Sequence, residues 1–285
     1  NIHVINDDEF NMSATKDIES WLIQYMLAEG SYELLNGNKG LANHNYFDKE
    51  KYRAKFETLW EDLKKIKLVT QDLVQIKNSD LFKYSPYKTL TSEQLDITNK
   101  ILDIDEKHTS YTQIIHGKPG TGKTILAVYL MKSLAEKNRK IALVVPMVSL
   151  RKTLKTVFRK VPGLSSKMVI GPSDVVKEDY DILVVDEAHR LKRRKNITNY
   201  RTFDSINNQK SLGKEGNQLD WILDSAFKVV LFYDENQSVR PSDVRPNDFA
   251  SLESKNHFLT SQLRIEGGED FVTFIDDFFN NDVKE

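Results

Sequence analysis

The fold class of this chain can be read from residues 111–137, YTQIIHGKPGTGKTILAVYLMKSLAEK. A short apolar run, a glycine-rich turn and a run with apolar residues at helical spacing follow one another, which predicts a strand, a loop and a helix. The turn at residues 117–124, GKPGTGKT, matches the full pattern G-x-x-x-x-G-K-[ST]. Its glycines allow backbone N–H groups to turn inward around phosphate oxygens at the start of the helix. The sequence therefore predicts a phosphate-binding loop.

The polar side chains of this loop indicate the ligand. Lys123 can reach the β- and γ-phosphates of a nucleoside triphosphate, and the Thr124 hydroxyl can bind Mg²⁺. We therefore expect ATP and Mg²⁺ as cofactors, the alternative being a glycine-rich turn with no ligand. The loop residues expected to bind the nucleotide are Gly117, Lys118, Pro119, Gly120, Thr121, Gly122, Lys123 and Thr124.

A second motif, DILVVDEAHR at residues 181–190, ends an apolar run with two carboxylates. Enzymes with a phosphate-binding loop need an acidic residue at a strand end to hold Mg²⁺ and a second group to orient the attacking water. Asp186 fits the first role and Glu187 the second. An apolar strand that ends in Asp-Glu is common by itself, but downstream of a phosphate-binding loop it indicates nucleotide hydrolysis.

Three further residues are candidates for nucleotide contacts. The run KVVLFYD is followed by an acid and amides, so Gln237 could sense the γ-phosphate at a strand end or could belong to an ordinary polar turn. Gln94 could hydrogen-bond an adenine edge or could only cap a helix that begins after Thr91. Arg264, in LTSQLR, could clamp a γ-phosphate or could be a surface arginine.

The other apolar runs extend the alternation of strands and helices. Runs such as KIALVVP at residues 140–146 are apolar at consecutive positions, which is typical of strands covered on both faces. Their alternation with helical segments predicts an α/β domain with a parallel, doubly wound sheet over residues 85–285. Residues 1–84 are predicted to be mostly helical, because residues 13–82 carry apolar side chains at helical spacing. The longest predicted loop is 190–218.

Two clusters of Lys and Arg could contact the phosphate backbone of a nucleic acid, or could be solvated faces. They consist of Arg151, Lys152, Lys155, Arg159 and Lys160 on a predicted helix, and of Arg190, Lys192, Arg193, Arg194 and Lys195 after the acidic pair. The first cluster follows a strand that ends near Pro146, on the sheet edge where the nucleotide is expected. The second lies in a predicted loop with no such tether. We therefore expect single-stranded nucleic acid to bind the first cluster more than the second.

The composition limits the remaining classes of function. The chain has 285 residues, no cysteine and a formal net charge of -1, from 41 Lys and Arg against 42 Asp and Glu. Without cysteine it has no disulfide, no thiolate metal site and no cysteine nucleophile, which suits a reducing cytoplasm. Its longest apolar run, at residues 141–148, is too short to span a membrane. We therefore expect a cytoplasmic protein with no membrane partner.

The motifs and their order resemble the first RecA-like domain of superfamily 1 helicases. A closer resemblance is to a family of P-loop ATPases related to the helicase-like domain of Schlafen proteins, and it covers residues 85–285. The resemblance implies a RecA-like fold and ATP hydrolysis. It also implies that Gln94 contacts adenine, that Gln237 couples the γ-phosphate to a bound strand, and that Arg264 touches the phosphates.

The same resemblance implies partners. Residues 146–150, including Ser149, would lie near single-stranded DNA or RNA. Helicases of this kind hydrolyse ATP between two RecA-like domains, so we expect a second such domain, with its arginine finger, in a longer parent chain. One domain alone should turn over ATP slowly. The alternative is a nucleotide-dependent switch or scaffold, in which ATP binding alters a protein surface and no strand is moved.

A second resemblance covers residues 10 to 65. This segment looks like the C-terminal half of a GIY-YIG nuclease domain, with Glu19 at the position of the metal-binding glutamate and Asn36 at that of a downstream asparagine. The strands that name the family, and its catalytic arginine helix, would precede this segment and are absent from the sequence. We therefore expect a structural role for this region, with Trp21 and Trp60 buried.

Overall fold

The computed structural model describes residues 3–32, 46–88, 90–105, 111–137, 139–261 and 263. These residues group into two compact units, Asn1–Ser92 and Glu93–Glu285. The division therefore follows residue 92, whereas the sequence predicts a boundary after residue 84. Among the described residues, no helix is long and apolar enough to cross a membrane.

The first unit is helical. Its helices are α1 (Met12–Glu29), α2 (Lys49–Lys65), α3 (Leu73–Asn78) and α4 (Asp80–Lys83). Trp60 is fully buried, and its indole N–H donates to the Gln71 carbonyl at 3.0 Å. Trp21 is only half-buried and meets the ring of Phe56 edge-on, so the expectation that both tryptophans are buried is wrong for Trp21. It lies on α1 beside residues that stay partly exposed.

In its described residues, the second unit is an α/β domain with six parallel strands in the order β3-β2-β4-β5-β1-β6. The strands are β1 (Tyr111–Gly117), β2 (Ile141–Val144), β3 (Val169–Ile170), β4 (Tyr180–Val185), β5 (Ala226–Tyr233) and β6 (Lys255–Leu259). The helices are α5 (Ser92–Asp105), α6 (Lys123–Ala135), α7 (Val148–Lys160), α8 (Tyr200–Gln209), α9 (Gln218–Asp224) and α10 (Pro246–Ala250). The predicted doubly wound α/β class is confirmed.

The central strands are apolar at consecutive positions because both faces of the sheet are covered. All four residues of β2 are buried, as are the last four of β4. On one face, Leu183 and Leu231 belong to a core that also contains Trp221 of α9 and Phe203 of α8. This core fixes the strands so that their carboxyl ends, where the motif residues lie, meet at one edge.

Residues 190–218 are not a single long loop, which corrects the expectation from sequence. They contain α8, whose first turn is capped by Asn199, since its side chain accepts the N–H of Thr202 at 3.2 Å. Buried Asn207 then accepts the indole N–H of Trp221 at 2.6 Å and donates to the Gly216 carbonyl at 2.9 Å. The segment is held against the core by these hydrogen bonds and by Phe203 and Ile206 of α8, which are buried in it.

Candidate nucleotide site

The phosphate-binding loop joins β1 to α6. The strand ends at Gly117 and the helix begins at Lys123, after Gly122 with a φ of 82°. Gly120 also has a positive φ, 90°, and this left-handed region is open to glycine at little cost. The Thr121 hydroxyl donates to the Lys118 carbonyl at 2.9 Å. The loop is therefore already closed around the start of the helix.

Lys123 is the buried cation of this loop, with only 6% of its side chain exposed. Its ammonium donates to the carbonyls of Gly117 at 2.5 Å and Lys118 at 3.1 Å. It also lies 3.5 Å from a carboxylate oxygen of Asp234, which directly follows β5 and is 3% exposed. The first residue of α6 thus places a buried positive charge at the phosphate-binding loop.

Asp186 follows β4 and is fully buried. Burial, together with the charge of Glu187, raises the pKa of Asp186 to about 7, although a hydrogen bond with Thr124 opposes the increase. Its Oδ2 atom is buried without a hydrogen-bond partner among the described residues. An orphaned carboxylate oxygen beside a hydroxyl fits Mg²⁺, which prefers oxygen ligands.

These protein ligands would supply only part of a Mg²⁺ coordination shell. Among the described residues, no group of three or more His, Asp or Glu side chains could hold a metal ion. Mg²⁺ usually retains several waters and is bound through one or two protein groups together with substrate phosphates. Thr124 and Asp186 therefore fit a magnesium ion that arrives with a nucleotide.

Glu187 has an unusual backbone and a strongly polar environment. Its φ of 54° places it in the left-handed region, which is uncommon for a residue other than glycine. Its Oε2 atom lies 2.9 Å from Nε2 of His189, which is fully buried. No role for His189 is predicted from the sequence. Burial opposes ionisation of Glu187, but His189 and the charges of Lys123 and Arg190 outweigh it and lower the pKa. Glu187 is therefore a carboxylate at neutral pH.

The end of β5 brings Gln237 into the same network. The Gln237 side-chain amide donates to Oδ2 of Asp234 at 2.7 Å, and that oxygen is also the one nearest Lys123. Asp234 thus connects the lysine of the loop to the glutamine. The sequence points to Gln237, but the connection through Asp234 is visible only in three dimensions.

Gln94, near the start of α5, packs on the phosphate-binding loop. It is 2% exposed, and its amide donates to the Thr121 carbonyl at 3.0 Å. The preceding residue, Glu93, accepts the backbone N–H and the hydroxyl of Thr260, at 3.1 Å and 2.9 Å. The N–H of Leu263 donates to the Gly120 carbonyl at 3.0 Å. The segment after β6 therefore reaches the loop, while the predicted site residue Arg264 lies outside the described residues, as does Asn36.

The first basic cluster is only partly available at the surface. Arg151 is half-buried, and its guanidinium donates to the Val145 carbonyl at 2.8 Å. The other residues expected near nucleic acid are exposed on α7, which begins next to the carboxyl end of β2; they are Ser149, Lys152, Lys155 and Arg159.

The second basic cluster is not an untethered loop, and this part of the sequence interpretation is wrong. Arg193 donates to the Pro241 carbonyl at 3.1 Å, and Arg194 forms a two-point ion pair with Asp204. Arg190 lies 3.6 Å from a carboxylate oxygen of Asp243. These contacts hold the cluster in a defined position beside the acidic pair.

A glycine-rich loop with a buried lysine, an acidic pair on another strand and a parallel sheet define a P-loop nucleotide-binding domain of the helicase-like type. The chain belongs to the Schlafen group 3 DNA/RNA helicase domain family, whose model matches residues 110–285, more than half of the chain. The match begins after the first unit, so it does not include Glu19 or the segment that resembles a GIY-YIG nuclease.

Three solved structures resemble parts of the chain. Domain III of the Thermotoga maritima replication initiation protein DnaA is 15% identical, with a TM-score of 0.36, over 60% of this chain and 64% of that one. The Pif1 helicase from Candida albicans is 12% identical, with a TM-score of 0.39, over 67% of this chain and 44% of that one. Drosophila ORC bound to DNA is 10% identical, with a TM-score of 0.28, over 84% of this chain and 55% of that one. The chain spans less than two-thirds of each of them. No curated protein matches the chain.

Proposed function

We propose that the second unit binds ATP with Mg²⁺ and hydrolyses it, as the first motor domain of a superfamily 1-like helicase or translocase. The observation that carries the proposal is the convergence of Lys123, Asp186, Glu187 and Asp234 at the carboxyl edge of one sheet. A cation, a metal-binding carboxylate and an ionised base at a phosphate-binding loop are the groups that phosphoryl transfer to water requires.

Each residue has a distinct role in this proposal. Lys123 exchanges carbonyl and carboxylate partners for phosphate oxygens, while Thr124 and Asp186 would hold Mg²⁺. An ion held there would supply positive charge next to the phosphate oxygens. Glu187, oriented by His189, accepts a proton from the attacking water. Gln237, through Asp234, responds to the γ-phosphate.

Two residues complete the nucleotide site in the proposal. Gln94 contacts adenine from its position against the loop, which is supported by its hydrogen bond to Thr121. Arg264 contacts the phosphates from the segment that follows β6, supported by the hydrogen bond of the neighbouring Leu263 to Gly120.

The partners are single-stranded DNA or RNA and a second RecA-like domain in a longer parent chain, and the proposed location is the cytoplasm.

The test of the proposed function is the ATPase rate of the purified chain with and without oligo-dT or oligo-rU, with Lys123→Ala as the blank for contaminating activity. We expect slow turnover that either oligonucleotide accelerates. A rate that neither changes would favour a nucleotide-dependent switch or scaffold instead.

The basic side chains of α7 are predicted to contact a bound strand. Replacing Lys152, Lys155 and Arg159 with Gln should flatten the plot of log affinity against log salt, by roughly 0.7 for each backbone phosphate that the variant no longer neutralises. Fluorescence anisotropy of a labelled oligonucleotide over a salt series measures this slope. Lys140→Gln is the control, because Lys140 precedes the amino end of β2 and pairs with Glu178. A triple variant with the slope of the wild type would make this helix a solvated face.

The first unit is predicted to have no nuclease activity. Glu19 is exposed on α1 with no cluster of metal ligands among the described residues. A lone carboxylate holds Mg²⁺ weakly and supplies no group to activate water. Supercoiled plasmid incubated with the chain and Mg²⁺ or Mn²⁺ should stay intact. Nicking that is lost in Glu19→Ala but kept in Glu57→Ala, a change at an exposed position on α2, would show that the unit is catalytic.

A further inference from the structure

The segment that follows β6 is held by the side chain of Glu93, which lies in the first turn of α5. One carboxylate oxygen, Oε1, accepts the Thr260 hydroxyl at 2.9 Å. The other, Oε2, accepts the backbone N–H of Thr260 at 3.1 Å and that of Ser261 at 3.4 Å. Hydrogen bonds to an ionised acceptor are about twice as strong as those between neutral groups. The carboxylate therefore ties the end of β6 to the start of this helix.

The same segment also reaches the phosphate-binding loop. The backbone N–H of Leu263 donates to the Gly120 carbonyl at 3.0 Å. A Cβ atom at Gly122 would lie 3.1 Å from the Leu263 side chain and 2.7 Å from the amide nitrogen of Gln94, so both side chains pack directly on the loop. Glu93 thus connects two elements that contact the loop, namely the helical turn that carries Gln94 and the segment that carries Leu263.

These contacts fix two carbonyl groups of the loop. The Gly120 carbonyl accepts from the segment after β6, and the Thr121 carbonyl accepts from the Gln94 side chain at 3.0 Å. In a planar trans peptide the N–H points away from the C=O of the same unit. The Thr121 N–H accordingly points across the loop, toward the Lys118 carbonyl at 3.4 Å. Holding the carbonyls therefore aims the N–H groups of Thr121 and Gly122 away from their anchors, to the side where phosphate oxygens are expected.

We propose that Glu93 is a positioning residue of the nucleotide site, which keeps the phosphate-binding loop ready for a nucleotide by holding the segment after β6 against it. The inference rests on the proposed function and adds a residue that acts without contacting the reacting atoms. A loop that is ordered in advance loses less entropy when it binds a ligand, so the loss of Glu93 should weaken binding. Asp186 and Glu187 follow another strand and should keep their arrangement.

Glu93→Ala should weaken the binding of ATP with Mg²⁺ by about tenfold or more, the effect expected from one lost hydrogen bond to a charged group. Glu93→Gln keeps one acceptor oxygen and should have an affinity between those of Glu93→Ala and the wild type. The kcat at saturating ATP should change much less than the affinity. Titration calorimetry measures the affinity, and thermal unfolding shows whether each variant is folded. Asp96→Ala is the control, because it removes an exposed carboxylate that pairs with Lys100 on the same helix.

A double-variant cycle separates positioning from a general loss of stability. Thr260→Val removes the hydroxyl that donates to Glu93 and leaves the backbone N–H in place. Because both residues act through one contact, the double variant should bind ATP no more weakly than Glu93→Ala. Hydrogen exchange of the Leu263 amide, measured without nucleotide, should be faster in Glu93→Ala and unchanged in Asp96→Ala. Additive losses in the cycle, or exchange at the wild-type rate in Glu93→Ala, would overturn the positioning role.

The failure of this inference can be told apart from the failure of the proposed function. If the wild type binds ATP and Glu93→Ala binds it equally well, the positioning role is wrong while the proposed function stands. A fall in kcat at unchanged affinity would also overturn it, because the effect would then lie in the chemical step. If the wild type binds no ATP, the proposed function and the positioning role fall together.

Discussion

Lys123→Ala is expected to abolish ATP binding at concentrations that saturate the wild type. The substitution removes the buried ammonium of the loop and leaves the Asp234 carboxylate, 3.5 Å away in the wild type, facing the incoming phosphates. Truncation of one partner in a buried charge pair costs about 2–5 kcal/mol. At 1.4 kcal/mol for each factor of ten, the affinity should fall by roughly 30-fold to several thousand-fold.

Isothermal titration with ATP and Mg²⁺ measures this loss, and thermal unfolding shows whether the domain remains folded. Lys132→Ala is a matched control on the same helix. The Lys132 ammonium lies 3.1 Å from the carboxylate of Glu136 and does not contact the loop. Since Asp234 is buried, the single variant could be destabilised by an unpaired carboxylate. The double variant Lys123→Ala with Asp234→Asn removes that charge. Wild-type affinity in either variant would show that the loop does not bind ATP through Lys123.

The parts of the site that could be predicted from sequence are the motifs whose residues all lie within one short segment. The phosphate-binding loop needs a strand, a glycine turn and a helix in succession, and residues 111–137 supply all three. The acidic pair needs only the end of an apolar strand. Because both motifs are local, their residues can be identified without knowledge of any contact between them.

The rest of the site depends on contacts between distant positions, which have no local pattern. Asp234 reaches Lys123 only because β5 lies beside β1 in the sheet. Glu93 is placed against Thr260 because β6 pairs with the other side of β1. The sequence KNHFL of β6 is short and largely polar, as befits a strand at the edge of the sheet, so no apolar run predicts it.

The basic clusters show a further limit of reading charges along the chain. Residues 190–218 are rich in polar side chains and include two glycines, which predicts a loop. Their anchors, Asp243 and Gln218, are separated from them in sequence and carry no motif. Such contacts belong to the folded chain, so the sequence could not show that the second cluster is held in place.

Glu187→Gln is expected to bind ATP with wild-type affinity and to lose hydrolysis almost completely. The amide is close to the carboxylate in size and can still accept a hydrogen bond from His189, so the left-handed backbone and the loop geometry should persist. It cannot take a proton from water, however, and general-base catalysis contributes typically 10²–10⁴-fold. Turnover should therefore fall by about two to four orders of magnitude.

Single-turnover hydrolysis with saturating ATP isolates this chemical step from binding. Glu235→Gln is a matched control, because it makes the same change of charge at an exposed position directly after Asp234. If the charge near the phosphates were all that mattered, both variants would lose activity to a similar degree. If hydrolysis instead needs a base beside the attacking water, only Glu187→Gln should lose activity. Turnover by Glu187→Gln equal to that of the wild type would remove Glu187 from the catalytic role and leave His189 without a function in the mechanism.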